Sequence, residues 1–228
     1  MQITYRIYRN VLLFILIASF AYGADPVAVI VKTAGKGELT RSSAPTKVID
    51  LSKGTVLYDG DKIHTFKGSF CAIKFIDDKS LLRVKENSTC VIEGSREKDY
   101  INKNIIVEVG SFFASLFKQR GKFTVTTPTS VASVKGTQFW TVQFSDGHTM
   151  YIGIEGLIDL TNDAGRVLLR SGQTAVYTSR NQLPEIRLTR DGEIPSDEEG
   201  FGSQKTLEIE FKDASGQTRK LMIDYTEQ

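Results

Sequence analysis

The chain has 228 residues, with 29 Lys+Arg against 27 Asp+Glu, two cysteines and two histidines. Its first 23 residues hold Arg6 and Arg9 and no acid, so the remainder carries 27 of each charge and is formally neutral. That balance excludes a general nucleic-acid partner, which needs a basic face to neutralise phosphates. The remaining length suffices for one sizeable core and a small appendage.

Taken in chain order, Met1 to Asn10 is short and basic, and Val11 to Phe20 (VLLFILIASF) is apolar. Ala21-Tyr22-Gly23 sets small residues before Ala24. This is the layout of a secretory signal peptide over 1–23, with cleavage expected between Gly23 and Ala24. The apolar run, about 10–12 residues, falls short of the roughly 20 that span a bilayer. Uncleaved, it would act as a membrane anchor, the one route to membrane contact. The expectation is an exported protein.

Short period-two or apolar runs follow. Val27–Lys32, Thr55–Tyr58, Phe70–Ile76, Ser80–Val84, Thr89–Ile92, Ile105–Val109 and Phe123–Thr126 read as strands. So do Gln138–Phe144, His148–Ile154, Leu157–Leu160, Val167–Leu169 and Thr174–Tyr177. Ser111–Lys118 reads as a strand or a short helix. Asp146-Gly147 predicts a tight hairpin turn with both central residues at positive φ. Gly136, Gly156 and Gly172 each open a new run, which suggests stacked strands. The fold class is all-β, a roll or sandwich of short strands spanning 24–183. An acidic, turn-rich linker over 184–203 leads to a β-hairpin over 204–228, where TLEIEFKD and RKLMIDYTE flank Ala214–Gln217. Such a hairpin is marginal alone and is expected to dock on the main domain or to belong to a small accessory module.

Little here has the arrangement of a reactive centre. Cys71 and Cys90 alternate onto apolar faces, and an even count in an exported chain makes them a disulfide candidate. Two buried free thiols are the alternative. His64 and His148 lie at a strand end and beside a turn, with no positioned nucleophile. Asp59, Asp61, Asp77 and Asp78 fit turn roles better than a calcium site, which needs six to eight oxygens. No catalytic residue, cofactor or metal is expected.

The order of several elements resembles the FecR domain family. Leu57 to Thr65, with Asp61 and Thr65, resembles its G-D-x-I-x-T element. Cys71–Phe75 with Asp77–Ser80 resembles A-x-L-x-F-x-D-G-S, with Lys79 where glycine is usual. Phe123–Pro128, including Thr127 and Pro128, and Val134–Phe139, including Gly136, Thr137 and Phe139, resemble F-x-V-x-T-P … V-x-G-T-x-F. Glu155-Gly156 before Leu157–Leu160, and Ser171-Gly172-Gln173, complete the pattern. The likeness covers about residues 27–180.

The resemblance implies a bacterial periplasmic β-domain. In the family's namesakes this domain relays a signal from a TonB-dependent transporter to a cytoplasmic anti-sigma segment. Only about ten residues precede the apolar run here, so the likeness is to the domain without that arm. The expectation is therefore a non-enzymatic envelope protein. It would act by contact with an unidentified envelope protein or cell-wall component, through strand addition at an exposed edge. The alternative is a membrane-anchored regulator of sigma-dependent transcription.

Overall fold

The computed structural model describes residues 25–78, 80–116 and 119–195, together with the backbone of 204–212 and 218–226. Gly23, Ala24 and Lys79 lie outside the described residues. The protein is all-β, with no helix among the described residues. The first strands are β1 (Pro26–Ala34), β2 (Gly37–Arg41), β3 (Ala44–Asp50), β4 (Val56–Tyr58), β5 (Asp61–Thr65), β6 (Phe70–Phe75), β7 (Leu81–Val84) and β8 (Ser88–Arg96). Strand β9 (Ile101–Ser115) is the longest. After it come β10 (Phe123–Thr126), β11 (Val131–Val134), β12 (Gln138–Gln143), β13 (Thr149–Glu155), β14 (Leu157–Asn162), β15 (Gly165–Arg170), β16 (Gln173–Tyr177) and β17 (Glu185–Leu188). The chain ends with β18 (Gln204–Lys212) and β19 (Thr218–Thr226), which pair only with each other among the described residues.

Strands β1 to β17 form two layers. Sheet I runs β4-β1-β6-β7-β9-β12-β13-β16-β17, antiparallel throughout. Sheet II runs β3-β2-β5-β8-β9-β10-β11-β14-β15, antiparallel except for the parallel pair β9–β10. Strand β9 belongs to both. Ile101–Val109 pairs with β8 in sheet II, and Gly110–Ser115 pairs with β12 in sheet I. After β9 the chain climbs by alternating hairpins: β10–β11 in sheet II, β12–β13 in sheet I, β14–β15 in sheet II, β16–β17 in sheet I.

The glycine-punctuated sequence has its cause here. Passing from one sheet to the other reverses the backbone within a few residues, which favours positive φ. Each crossing among the described residues, from Gly35 at β1–β2 to Gly172 at β15–β16, contains such a residue, and at β7–β8 it is Asn87. Gly156 is the whole connection between β13 and β14. A Cβ there would lie 2.7 Å from Thr137 Cγ2 and 3.1 Å from Gly136 O, so one crossing packs on another. Gly110, at φ 109°, is the point where β9 changes sheets.

The core lies between the layers. Phe75 of β6 meets Phe123 of β10 edge to face, with ring centroids 5.7 Å apart. Ile30, Ile73, Phe112 and Phe139 from sheet I are buried with Ile63, Ile105 and Leu160 from sheet II. Each such side chain contributes about 1.5–3 kcal/mol of apolar transfer.

Of the two readings open for Ser111–Lys118, the structure takes the strand as far as Ser115, on β9 between β7 and β12. It departs from the sequence reading in three places. Glu185–Leu188, read as linker, is β17 and pairs with β16. Strands β2 and β3 formed no part of the reading: β2 has a single apolar residue, Leu39, and β3 is mostly exposed, so neither shows a period. At Asp146-Gly147 only Gly147 has positive φ, 95°. The loop is longer than a two-residue turn: Phe144 N–H donates to His148 O at 2.9 Å, and Asp146 Oδ1 accepts the His148 N–H at 3.0 Å.

Candidate interaction surface

The motif residues hold the architecture together. Asp61 is buried and accepts hydrogen bonds from the Arg41 guanidinium and from the Tyr58 N–H at 2.8 Å, fixing the β4–β5 crossing. Thr65 accepts the Ser88 N–H at 3.1 Å and donates to Lys85 O. Thr127 closes the β10–β11 turn, at whose exposed tip Pro128 sits. Its hydroxyl donates to Ser130 O at 3.0 Å and lies 3.3 Å from Tyr151 Oη. Phe139 and Thr137 are buried, and Gly136 and Gly172 are crossings. Gln173 Oε1 accepts the Arg170 N–H at 2.9 Å. These groups are distributed along the roll and do not converge on one point.

The acidic turns are likewise occupied. Lys103, on the sheet II part of β9, has a side chain with 0% exposure. Its Nζ lies 2.8 Å from Asp77 Oδ2 and 2.7 Å from Asp78 Oδ2. It also donates to the carbonyls of Ile101 and Arg120, each at 3.1 Å. Burial alone would raise the Asp78 pKa, but bonds from Lys103 and from the Arg120 and Ser80 N–H groups hold it below the ordinary value. Asp59 Oδ1 accepts the Gly94 N–H at 2.8 Å. His64 Nδ1 is 2.8 Å from Thr89 Oγ1, and His148 Nδ1 is 3.0 Å from Asp146 Oδ2.

Cys71 and Cys90 are buried free thiols, not the expected disulfide. Cys71 lies on β6 of sheet I and Cys90 on β8 of sheet II. Burial pushes the Cys71 thiol up to about 12, and burial followed by the neighbouring Cys71 raises Cys90. Thiolate is the reactive form. Native protein is therefore expected to resist a thiol reagent for hours, and unreduced protein in denaturant to titrate two thiols per chain. Titration of none would restore the disulfide.

The four sheet edges differ. An edge strand offers unpaired backbone groups, and proteins blunt it with proline, lysine, bulges or brevity. At one end, β3 carries Pro45 and Lys47 beside a register shift at Thr40/Arg41. Its neighbour β4 has three residues, and Arg41 donates to its Val56 carbonyl at 2.8 Å. At the other end, β15 and β17 contain no proline, lysine or register shift, and β17 is blunted only by its length of four residues. In β17, Ile186 pairs with Ala175 and Leu188 with Gln173, on the side that faces the core elsewhere in sheet I. Ile186 is nevertheless 37% exposed and Leu188 77%, and Leu183, whose side chain lies near Gly165 of β15, is 55% exposed. Core-facing positions are thus left uncovered. Sequence reasoning missed them because a four-residue strand is too short to show a period.

A clamp sets the path of the chain as it leaves this end. Arg187 holds Glu193 by a two-pronged ion pair, and Glu193 Oε2 also accepts from Arg190 N–H at 3.0 Å and Thr174 Oγ1 at 3.1 Å. The bond from Arg187, acting against partial burial, lowers the Glu193 carboxyl from 4.5 to about 2. A carboxyl with a depressed folded pKa contributes stability that is present above its unfolded value and lost as pH falls through the folded one. The advantage of wild type over Glu193→Gln in urea unfolding is therefore expected to fade between about pH 4.5 and 2. Parallel pH profiles would refute this.

Comparison with known proteins agrees with this architecture. The sequence model of the family described as FecR protein matches residues 61–159. Two crystal structures of candidate anti-sigma factors from Parabacteroides distasonis share the fold. One superposes with a TM-score of 0.51 at 11% identity, over 63% of this chain and 67% of that one. The other gives 0.50 at 12% identity, over 64% and 68%. At such identities the likeness establishes the fold alone. No curated protein matches the chain.

Proposed function

We propose that the chain, a FecR-domain protein over residues 61–159, is a non-enzymatic signalling regulator of the bacterial envelope. In this reading the N-terminal apolar segment carries the β-roll out of the cytoplasm. The roll then binds a protein partner through the β15–β17 end. The carrying observation is the asymmetry of the edges: one end is defended against strand addition and the other presents Ile186 and Leu188. Addition of a strand to such an edge supplies main-chain hydrogen bonds, while neighbouring apolar side chains select the sequence. The family match and the anti-sigma description of the similar structures support a regulatory role over a purely structural one.

Deleting the gene and measuring transcription tests this reading. Sigma-dependent promoters are expected to change severalfold. Wild type should restore them, whereas Ile186→Lys/Leu188→Lys should not, despite folding normally. Unchanged transcription in the deletion strain would refute the regulatory role and leave an exported scaffold as the reading.

A further inference from the structure

We infer that the open β15–β17 end is closed by the chain's own C-terminal hairpin, with β18 pairing antiparallel to β15 in sheet II. The inference rests on reading that end as adhesive and names its resident occupant. Four observations carry it.

The first is the order of the hairpins. They alternate between sheets without exception after β9, and each new hairpin joins the last strand of its own sheet: β14 joins β11 and β16 joins β13. The next hairpin, β18–β19, falls to sheet II, where the last strand is β15. The second is the exposed edge of β15. Arg170 N–H points away from β14, since it donates to the Gln173 side chain. By the two-residue repeat of a strand, the Leu168 and Arg166 amides face the same free edge.

The third is the hairpin's own pattern. Its register pairs Leu207 with Ile223 and Ile209 with Leu221, and sets Phe211 and Tyr225 on that same face. Lys205 and Arg219 flank that face at its two ends, and Glu208, Glu210, Lys220 and Asp224 share the other face with Met222. A lone two-stranded hairpin with one apolar face is marginal in water. Docked on β15, β18 and β19 would extend sheet II opposite β17, the strand that carries Ile186 and Leu188. The fourth is reach. Residues 189–203 separate β17 from β18 and include Gly192, whose φ of 75° repeats the feature of the earlier crossings. At about 3.3 Å per residue they can cross a sandwich about 10 Å thick. A partner's strand would then compete with the hairpin for β15.

Amide exchange by NMR on the full chain decides this. Arg166 and Leu168 amides are expected to exchange at least tenfold more slowly in wild type than in Ile209→Glu/Ile223→Glu. The polar-face variant Glu208→Gln/Glu210→Gln should match wild type. Ile105 of β9 should stay protected in all three, showing an intact fold. Equal exchange of Arg166 and Leu168 in all three proteins would overturn the inference. So would protection that rises with protein concentration, which would make a second copy the occupant. No partner or promoter enters this measurement, so its failure is separate from failure of the regulatory reading.

Discussion

Replacing Lys103 with methionine is expected to destabilise the protein by about 3–5 kcal/mol, the cost of leaving buried charge without its partner. The Lys103 ammonium is fully buried and lies between Asp77 and Asp78, whose side chains are 5% and 0% exposed. It also satisfies two backbone carbonyls, so the β6–β7 turn, β9 and the segment before β10 all meet at one atom. Removing it strands two carboxylates close together, which protonation alone relieves. The deficit should therefore shrink on acidification, because Asp78 loses the bond that holds its pKa down. Lys103→Met with Asp77→Asn and Asp78→Asn should recover part of the loss, since neutral groups cost less to bury unpaired. Urea midpoints at unchanged m values provide the readout. A single substitution costing under about 1 kcal/mol would contradict this account of the triad.

The second large effect is expected at Gly110. Alanine there should cost about 3–5 kcal/mol, combining a disfavoured backbone region with overpacking. Its Cβ would fall 2.1 Å from Ser88 Oγ and 2.5 Å from Ser88 Cα. Ser88 has little room to retreat. It is buried, its N–H bonds Thr65, and its hydroxyl accepts the Ser111 N–H at 3.0 Å. Combining Gly110→Ala with Ser88→Gly should return the part of the steric cost owed to the Ser88 side chain and leave the clash with its Cα together with the backbone share. The double-mutant difference measures the division. Strict additivity of the two substitutions would show that the contact with Ser88 is not the cause.

The all-β class was legible because strand periodicity is local and the turn residues punctuate it. Gly136, Gly156 and Gly172 signalled sharp reversals correctly. What no single segment encodes is that each reversal passes between layers. The layer assignment depends on which distant strands pair, as when Gly110 sends one strand into both sheets. Asp77 and Asp78 were readable as turn residues, but their partner Lys103 lies on another strand, where nothing nearby marks it as buried. The cysteines illustrate the same limit: alternation predicted their burial, yet their placement on opposite sheets needed the fold. The open end was hidden for a different reason. Ile186 and Leu188 sit in an acidic, turn-rich context whose composition outweighs four residues of strand.

The sharing of β9 has a consequence for how the protein reaches its native state. β1 to β8 contribute strands to both layers, yet neither layer has its centre until β9 is in place. Its partners β7, β8, β10 and β12 come from either side of it in sequence. Strands β1 to β8 pair among themselves into four strands of each layer, and β9 joins both sets to the strands that follow it. Pairings between distant segments fold in milliseconds to seconds rather than microseconds. During that delay β7 and β8 are the open edges of the two layers, and β9 closes both at once.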